Sequence, residues 1–391
     1  MPATARPSLV VDLFGLQSRA AQPGSDSGFS TPTWTWPEEM GQKVGKTDRP
    51  LSWLLSGRFV APAKGAPVED TDCRHDDPDR QALAALGDNS LPEIDALSRA
   101  LGDWLLAGGS RDDFCKQIST WREEGFSRLL CFDPVHLKAE TDHAITLGPR
   151  FLRPEGEPFD QLRDEINVWL GDDDMHLEHI GQQYYLLARL SDDGLGPASA
   201  RLQRAGAPLA CLLNRNTAIF IDEQHSEPIL RQWLTELQMW LFPRAYNDAR
   251  AARGQPILNS FWPHGMSELS ADLPTASSAE ALIISDSPAV LARHDAIAWE
   301  PAATAMSEAV AAAIKAGRPL RLLLTELAWC RLEGDLEGFH QELERVDAWL
   351  VDLLAHEPRL SITLTDGQGG VWRAESRLAG VWRGLVAWWR R

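Results

Sequence analysis

A chain of 391 residues with 44% hydrophobic and 24% charged side chains has the composition of a folded protein, and at roughly 100–200 residues per domain it predicts two to three units. A net charge of −18 argues against sequence-independent nucleic-acid binding, which needs a basic face, while leaving room for local clusters such as Arg244, Arg250 and Arg253 to hold a small anion. Five scattered cysteines with no CxxC pair predict reduced thiols, not a zinc ribbon or a disulfide framework.

The N-terminal stretch MPATARPSLVVDLFGLQ carries one Arg and a short apolar run, fitting neither a signal peptide nor a membrane span. A cytoplasmic protein is expected. From Gln17 to about Ser90 the chain is rich in Gly, Pro, Ser, Asp and Thr without clean periodicity, so residues 1–90 read as an arm, largely loop. Within it RPLSWLLSGRF is a short segment able to dock, with Trp34, Trp36 and Trp53 as anchors.

Beyond Leu91 the pattern turns regular. PEIDALSRALGDWLLAGG has apolar residues at helical spacing and stops on Gly108–Gly109, and SRDDFCKQISTWREEG opens with Ser110 three residues before Asp113, a variant of the capping box. FSRLLCFDPVHL and HAITLG predict strands, EPFDQLRDEINVWLG a helix, QYYLLARLS a strand and ACLLNRNTAIFID one or two more. SEPILRQWLTELQMWLF places Leu230, Trp233, Leu234, Leu237, Trp240 and Leu241 on one helical stripe that ends at Pro243. Farther on, EALIISDSPAV, RPLRLLLTEL and RLSITLTDG predict strands, TAMSEAVAAAIKAG and LEGFHQELERVDAWLVDLLAH predict helices, and DGQGG predicts a hairpin turn into VWRAE. The fold class expected is α/β or α+β, a mixed sheet with flanking helices. Residues 91–270 form one α/β unit and 271–391 a second that packs on it.

After the Trp-rich helix, Asn247, Arg250, Gly254, Pro256, Asn259, Trp262 and Gly265 spell N-x2-R-x3-G-x-P-x2-N-x2-W-x2-G. With the earlier Asp133-Pro134-Val135-His136-Leu137 and the terminal Trp389-Arg390-Arg391, this string resembles the RpfE-type regulatory protein family, from about Leu129 to the C-terminus. The N-x2-R-x3-G-x-P-x-x-N part is also similar to one in archaeal-type cofactor-independent phosphoglycerate mutases. The resemblance implies a phosphate-handling loop and a regulatory or mutase-like protein. Two departures stand out. Mutase chemistry of that kind needs a phosphorylatable Ser and two metals, yet Asp12, Asp286, His294-Asp295 and Asp366 are not followed by the Asp-x-x-x-His or Asp-His-Gly strings expected of such ligands. The glycine-rich ending after the Trp is here Trp262-Pro263-His264-Gly265-Met266, which narrows any phosphate nest.

Each residue of the motif has two readings. Asn247 caps a short helix whose N–H groups join Arg250 and Arg253 in gripping an oxyanion, or it only caps while the arginines pair with surface acids. Asn259 bonds a ligand or staples the loop, and His264 is an acid, base or donor, or an ordinary loop histidine. Glu236, beside the apolar stripe, pairs with Arg250 or serves as a base. Asp133 and His136 end a strand at a Pro turn, where α/β folds expose functional groups, or merely form that turn. His176-x-x-His179 reads as a helical pair, metal-binding or solvated, and WRGLVAWWRR as an amphipathic tail that docks on the body or touches a membrane surface.

The ligand-binding candidates are therefore Asn247, Arg250, Asn259, His264, Asp133, His136 and Glu236. No cofactor and no metal are predicted. The expected partner is a small phosphorylated or carboxylated metabolite, in a sensor or low-activity enzyme. The alternatives are an interaction protein whose Trp-rich faces bind another chain, and a metal-dependent phosphomutase or phosphatase.

Overall fold

The computed structural model describes residues 8–13, 58–60, 96–139, 144–152, 154, 156–189, 209–213, 228–269, 273, 276, 280–357, 360–365 and 371–374. Trp34, Trp36, Trp53, Asp366 and the tail from residue 375 lie outside them.

Strands β1 (Ser8–Leu13) and β2 (Arg58–Val60) come first, then helices α1 (Ala96–Leu106) and α2 (Arg111–Glu123). The middle runs β3 (Arg128–Ala139), β4 (Ala144–Leu147), α3 (Pro149–Leu152), α4 (Glu157–Gly171), β5 (Met175–Ile180) and β6 (Gln183–Ala188). After it come α5 (Leu209–Leu212), α6 (Pro228–Leu241), α7 (Ala245–Ala252) and β7 (Ser260–Glu268). The last third holds β8 (Leu282–Ser285), α8 (Pro288–Arg293), β9 (Ala296–Ala298), α9 (Thr304–Ala316) and β10 (Leu320–Leu324). It closes with α10 (Glu326–Glu333), α11 (Leu336–His356), β11 (Ser361–Thr365) and β12 (Val371–Ala374). The α/β class is as expected, and the elements fall into two compact units.

One unit is built on a seven-stranded sheet in the order β2-β12-β11-β1-β10-β8-β9. Its central strands β11, β1, β10, β8 and β9 run parallel, and β12 and β2 complete one edge antiparallel. The apolar run after Pro7 thus becomes an inner strand, where Leu9, Val11 and Leu13 alternate onto the face covered by Met306 and Val310 of α9 and Phe339, Leu343 and Val346 of α11. β11 and β12 pair as the hairpin anticipated from DGQGG, the turn itself lying outside the described residues.

The other unit is an antiparallel sheet, order β4-β3-β6-β5, with β7 on the opposite edge of β3. One face is covered by α1, α2 and α8, through Leu97, Leu101, Phe114, Ile118 and Ala292 against Leu129, Cys131, Tyr185 and Leu187. On the other face Phe132 stacks on Phe261 at 4.8 Å and on Trp233 of α6 at 5.9 Å, and Trp169 of α4 stacks on Trp233 and Trp240. These tryptophans follow the helical stripe read from the sequence and bury it.

Four local expectations change. ACLL opens as a helical turn, not a strand. His176 and His179 lie on β5, not on a helix, and their odd spacing sends them to opposite faces. Asn247 lies inside α7, whose N-cap is Arg244. Trp262 to Gly265 form strand, not loop: among the described residues β7 pairs with β3 alone, which puts Pro263 on an edge, where a missing N–H is tolerated.

Candidate functional site

The polar residues of the Asn247–Gly265 segment divide into two groups. In the first, the hydrogen bonds go to backbone or to a neighbouring ring. Asn247, 2% exposed, donates from Nδ2 to Leu241 O and Leu258 O at 2.9 and 2.7 Å, and its Oδ1 accepts from Leu258 N at 2.8 Å. Arg250 donates from Nε to Pro256 O at 2.7 Å and from Nη2 to Phe151 O at 3.3 Å, with Nη1 on the Tyr246 hydroxyl. Asn259 closes both bonds with the backbone of Leu137, at 2.8 and 3.0 Å, much as a strand partner would. His136 donates from Nδ1 to Ile257 O at 2.8 Å, and burial lowers its pKa. These four residues brace the loop 253–259 against α7, β3 and the short helix α3.

The second group is buried beneath α1. Asp133, fully buried, accepts two parallel bonds from Arg99, Nη1 to Oδ2 and Nη2 to Oδ1, both at 3.2 Å. His264, 1% exposed, places Nε2 2.6 Å from the same Oδ2. A carboxylate oxygen at that distance requires the proton on Nε2, so the lone pair of Nδ1 is left buried without a partner. Arg99 also reaches Gln183 at 3.2 Å and lies 3.9 Å from Asp103, one helical turn on, which accepts a short hydrogen bond from the Tyr185 hydroxyl.

The charges in this cluster follow from burial set against neighbours. Burial favours a neutral Asp133, but Arg99 and then the His264 hydrogen bond outweigh it and hold the carboxyl down at about 2. Asp103 lies farther from the guanidinium, and burial wins there, pushing its carboxyl up to about 7 against Arg99 and Tyr185. Burial keeps His264 below its ordinary value despite Asp133, since a second cation would face Arg99. The Cys131 thiol is pushed up to about 12, again by burial, which leaves it inert. One ion pair, a neutral imidazole and a carboxyl poised near neutrality make up the cluster.

Strand register brings these groups to one face. Cys131 opposes Tyr185 of β6 on one side and His264 of β7 on the other, and Asp133 lies two residues along. Between Leu129↔Ser267 and Cys131↔His264 the register slips by one residue, at Gly265 with φ +62°, a bulge only glycine adopts without strain. His264 and Ser267 are three residues apart and would face opposite ways in a regular strand. The bulge turns both toward α1, where Ser267 Oγ accepts from Leu97 N at 3.1 Å.

A concavity lies along the edge of β3 where its neighbours part. Among the described residues β6 pairs with 128–131 of β3 and β4 with 136–139, while 132–135 pair with β7 alone. Pro134 falls in the gap, and a cleft of about 560 Å³ opens there, lined by Pro134, Pro149, Arg150, Pro154, His179 and Tyr184, with Asp160 and Gln182 also at its walls. Pro154 is held through its carbonyl by the Tyr184 hydroxyl at 2.6 Å, and Phe151 through its own by Arg250. The exposed ring of His179 lies on that of buried Tyr184, centroids 4.6 Å apart and planes 16° from parallel.

Of the seven residues chosen from the sequence, Asp133 and His264 meet, and Asn247, Arg250, Asn259 and His136 share the brace. Glu236 stands apart on α6, accepting from Gln232 at 2.9 Å. Arg99, Asp103, Gln183 and Tyr185 were not chosen. Arg99 and Asp103 had a signal: opposite charges four apart in an otherwise apolar helix, ALSRALGDWLL. Among the former metal candidates, Asp12 pairs with Arg321 at 2.8 Å, and Asp286 accepts from the backbone of Thr325 and Glu326 at the start of α10. Among the described residues no three His, Cys, Asp or Glu side chains are placed to share a metal ion, and no helix is long and apolar enough to cross a membrane.

No protein-family model matches the chain, and no curated protein matches it. Among solved structures it is similar to the cofactor-independent phosphoglycerate mutase from Thermoplasma acidophilum DSM 1728, with 15% identity, 95% of this chain and 90% of that one covered, and a TM-score of 0.33. It is also similar to the PH0037 protein from Pyrococcus horikoshii, with 14% identity, 94% and 86% covered, and a TM-score of 0.35.

Proposed function

We propose that the chain is a sensor-like protein that binds a small carboxylated or phosphorylated metabolite in the cleft at the β3 edge. The observation that carries this reading is the placement of Arg150 beside Gln182 and His179 in a cleft of about 560 Å³ with proline walls. Small-molecule sites have this size and this mixture of apolar wall with a few converging polar groups. A guanidinium at such a wall is the usual partner of a carboxylate or phosphate.

The Asn247–Asn259 segment enters this reading as scaffold. Its residues hold loop and helix ends by main-chain bonds, and Arg250 reaches the very segment that carries Arg150. The regulatory-family resemblance of the motif fits a protein that responds to a ligand without transforming it. The cluster under α1, with Asp133 and His264 almost wholly buried, enters this reading as structural support.

Thermal-shift titration of the whole chain with inorganic phosphate, glycerol phosphate and succinate tests the proposal. At least one anion should raise the melting temperature of the wild type, and Arg150→Ala should abolish the shift while exposed Arg253→Ala keeps it. No shift with any anion, or an equal shift in Arg150→Ala, would refute it.

A further inference from the structure

The cleft contains more than a cation. His179 is exposed yet already stacked on Tyr184, so a flat π surface stands ready at the wall. Desolvation, and after it the charge of Arg163, lowers the pKa of His179, which keeps the ring neutral near pH 7. A neutral imidazole offers a face for stacking in place of a second positive charge. Pro134, Pro149 and Pro154 supply rigid apolar walls that lose little side-chain entropy when a ligand settles.

The charge balance narrows the ligand further. Arg150 faces the cleft together with Asp160, whose carboxylate is 3.1 Å from Arg163. An acid at the same wall as the guanidinium disfavours a polyphosphate, which would meet repulsion there.

We infer that the cleft takes a flat, ring-bearing anion, an aromatic or heteroaromatic carboxylate or phosphomonoester, with its charged group on Arg150 and its ring against His179 and the prolines. This rests on the anion-binding reading above. The ring contributes affinity independently of the charge, so the two can be separated by experiment.

Isothermal titration of the full chain compares phenyl phosphate with methyl phosphate and benzoate with acetate, in the wild type, His179→Ala and Arg150→Ala. The wild type should bind each ring-bearing anion about tenfold more tightly than its methyl counterpart. His179→Ala, at an exposed position, should bring that ratio close to one, whereas Arg150→Ala should weaken all four. Equal binding of ring and methyl anions by the wild type overturns the ring inference alone, and so does a ratio that survives His179→Ala. Failure of all four anions to bind overturns the anion reading as well.

Discussion

His264 sets its Nε2 2.6 Å from Asp133 Oδ2, making the imidazole a further donor to a carboxylate that Arg99 already holds in two bonds. The three groups come from β7, β3 and α1, so their mutual satisfaction ties the helix to the sheet. Asp133→Asn would leave a buried guanidinium without its counter-charge, and a loss of about 3–5 kcal/mol is expected in urea unfolding. His264→Asn, which keeps the ion pair, should cost clearly less. Equal losses in the two variants would show that the guanidinium does not depend on Asp133.

Asp103 gives the unit an unusual dependence on pH. Its carboxyl ionises near 3.8 when unexceptional but keeps its proton up to about 7 in the fold. Between these values the native state holds more protons than the unfolded chain. The contribution of this group is therefore full below about pH 4, drains away as pH rises, and is flat above about 7. Asp103→Asn stays neutral throughout, so its stability relative to the wild type should improve steadily from pH 4 to pH 7. Parallel curves for the two chains would contradict this. His264 works in the opposite sense, its pKa being held below 6.5, so its contribution falls as pH drops under that value.

Helix α1 also meets α8 at a point where only glycine fits. A Cβ on Gly102 would lie 2.0 Å from Pro288 O and 2.4 Å from Pro288 Cα, both backbone atoms with little freedom to yield. Gly102→Ala should cost about 2–3 kcal/mol in spite of alanine's better helix propensity. Gly171→Ala, in a helix with nothing within 4 Å of the new methyl, serves as the control and should be neutral or stabilising. A calorimetric melt that puts both on the same side of the wild type would remove the close-approach argument.

Asn247→Ala tests the scaffold role of the motif. The change leaves Leu241 O, Leu258 O and Leu258 N without their side-chain partner in a buried site, for an expected loss of about 3 kcal/mol. Asn247→Asp should be worse, because it sets a carboxylate against two carbonyl oxygens. A stable Asn247→Ala chain that no longer binds anions would instead make Asn247 a ligand residue.

Much of the fold was legible because it repeats locally. The stripe of Trp233, Leu237 and Trp240 on α6, the Ser110–Asp113 cap of α2 and the apolar run of β10 each declare themselves within a few residues, whereas β1 lies in a stretch that reads as arm. β7 was hidden because Pro263 and Gly265 are turn residues, and an edge strand with a bulge tolerates both. The motif was legible as a motif, but not in its role. Whether Arg250 meets an anion or Pro256 O depends on where a loop folds back, and spacing does not record that. The cluster under α1 joins residues 34 and 165 positions apart, so Arg99 and Asp103 are recognisable only as charges misplaced on an apolar helix.

The slip at Gly265 ties the seating of α1 to the parity of the strand more than to its letters. Met266 can be exchanged for another side chain with little consequence for its neighbours. Deleting it would leave His264 and Ser267 two residues apart, the spacing at which an even ladder turns both toward the helix without any bulge. Homologous chains that keep both seats should therefore hold them either three residues apart across a bulge or two apart on an even ladder, whatever the intervening letters.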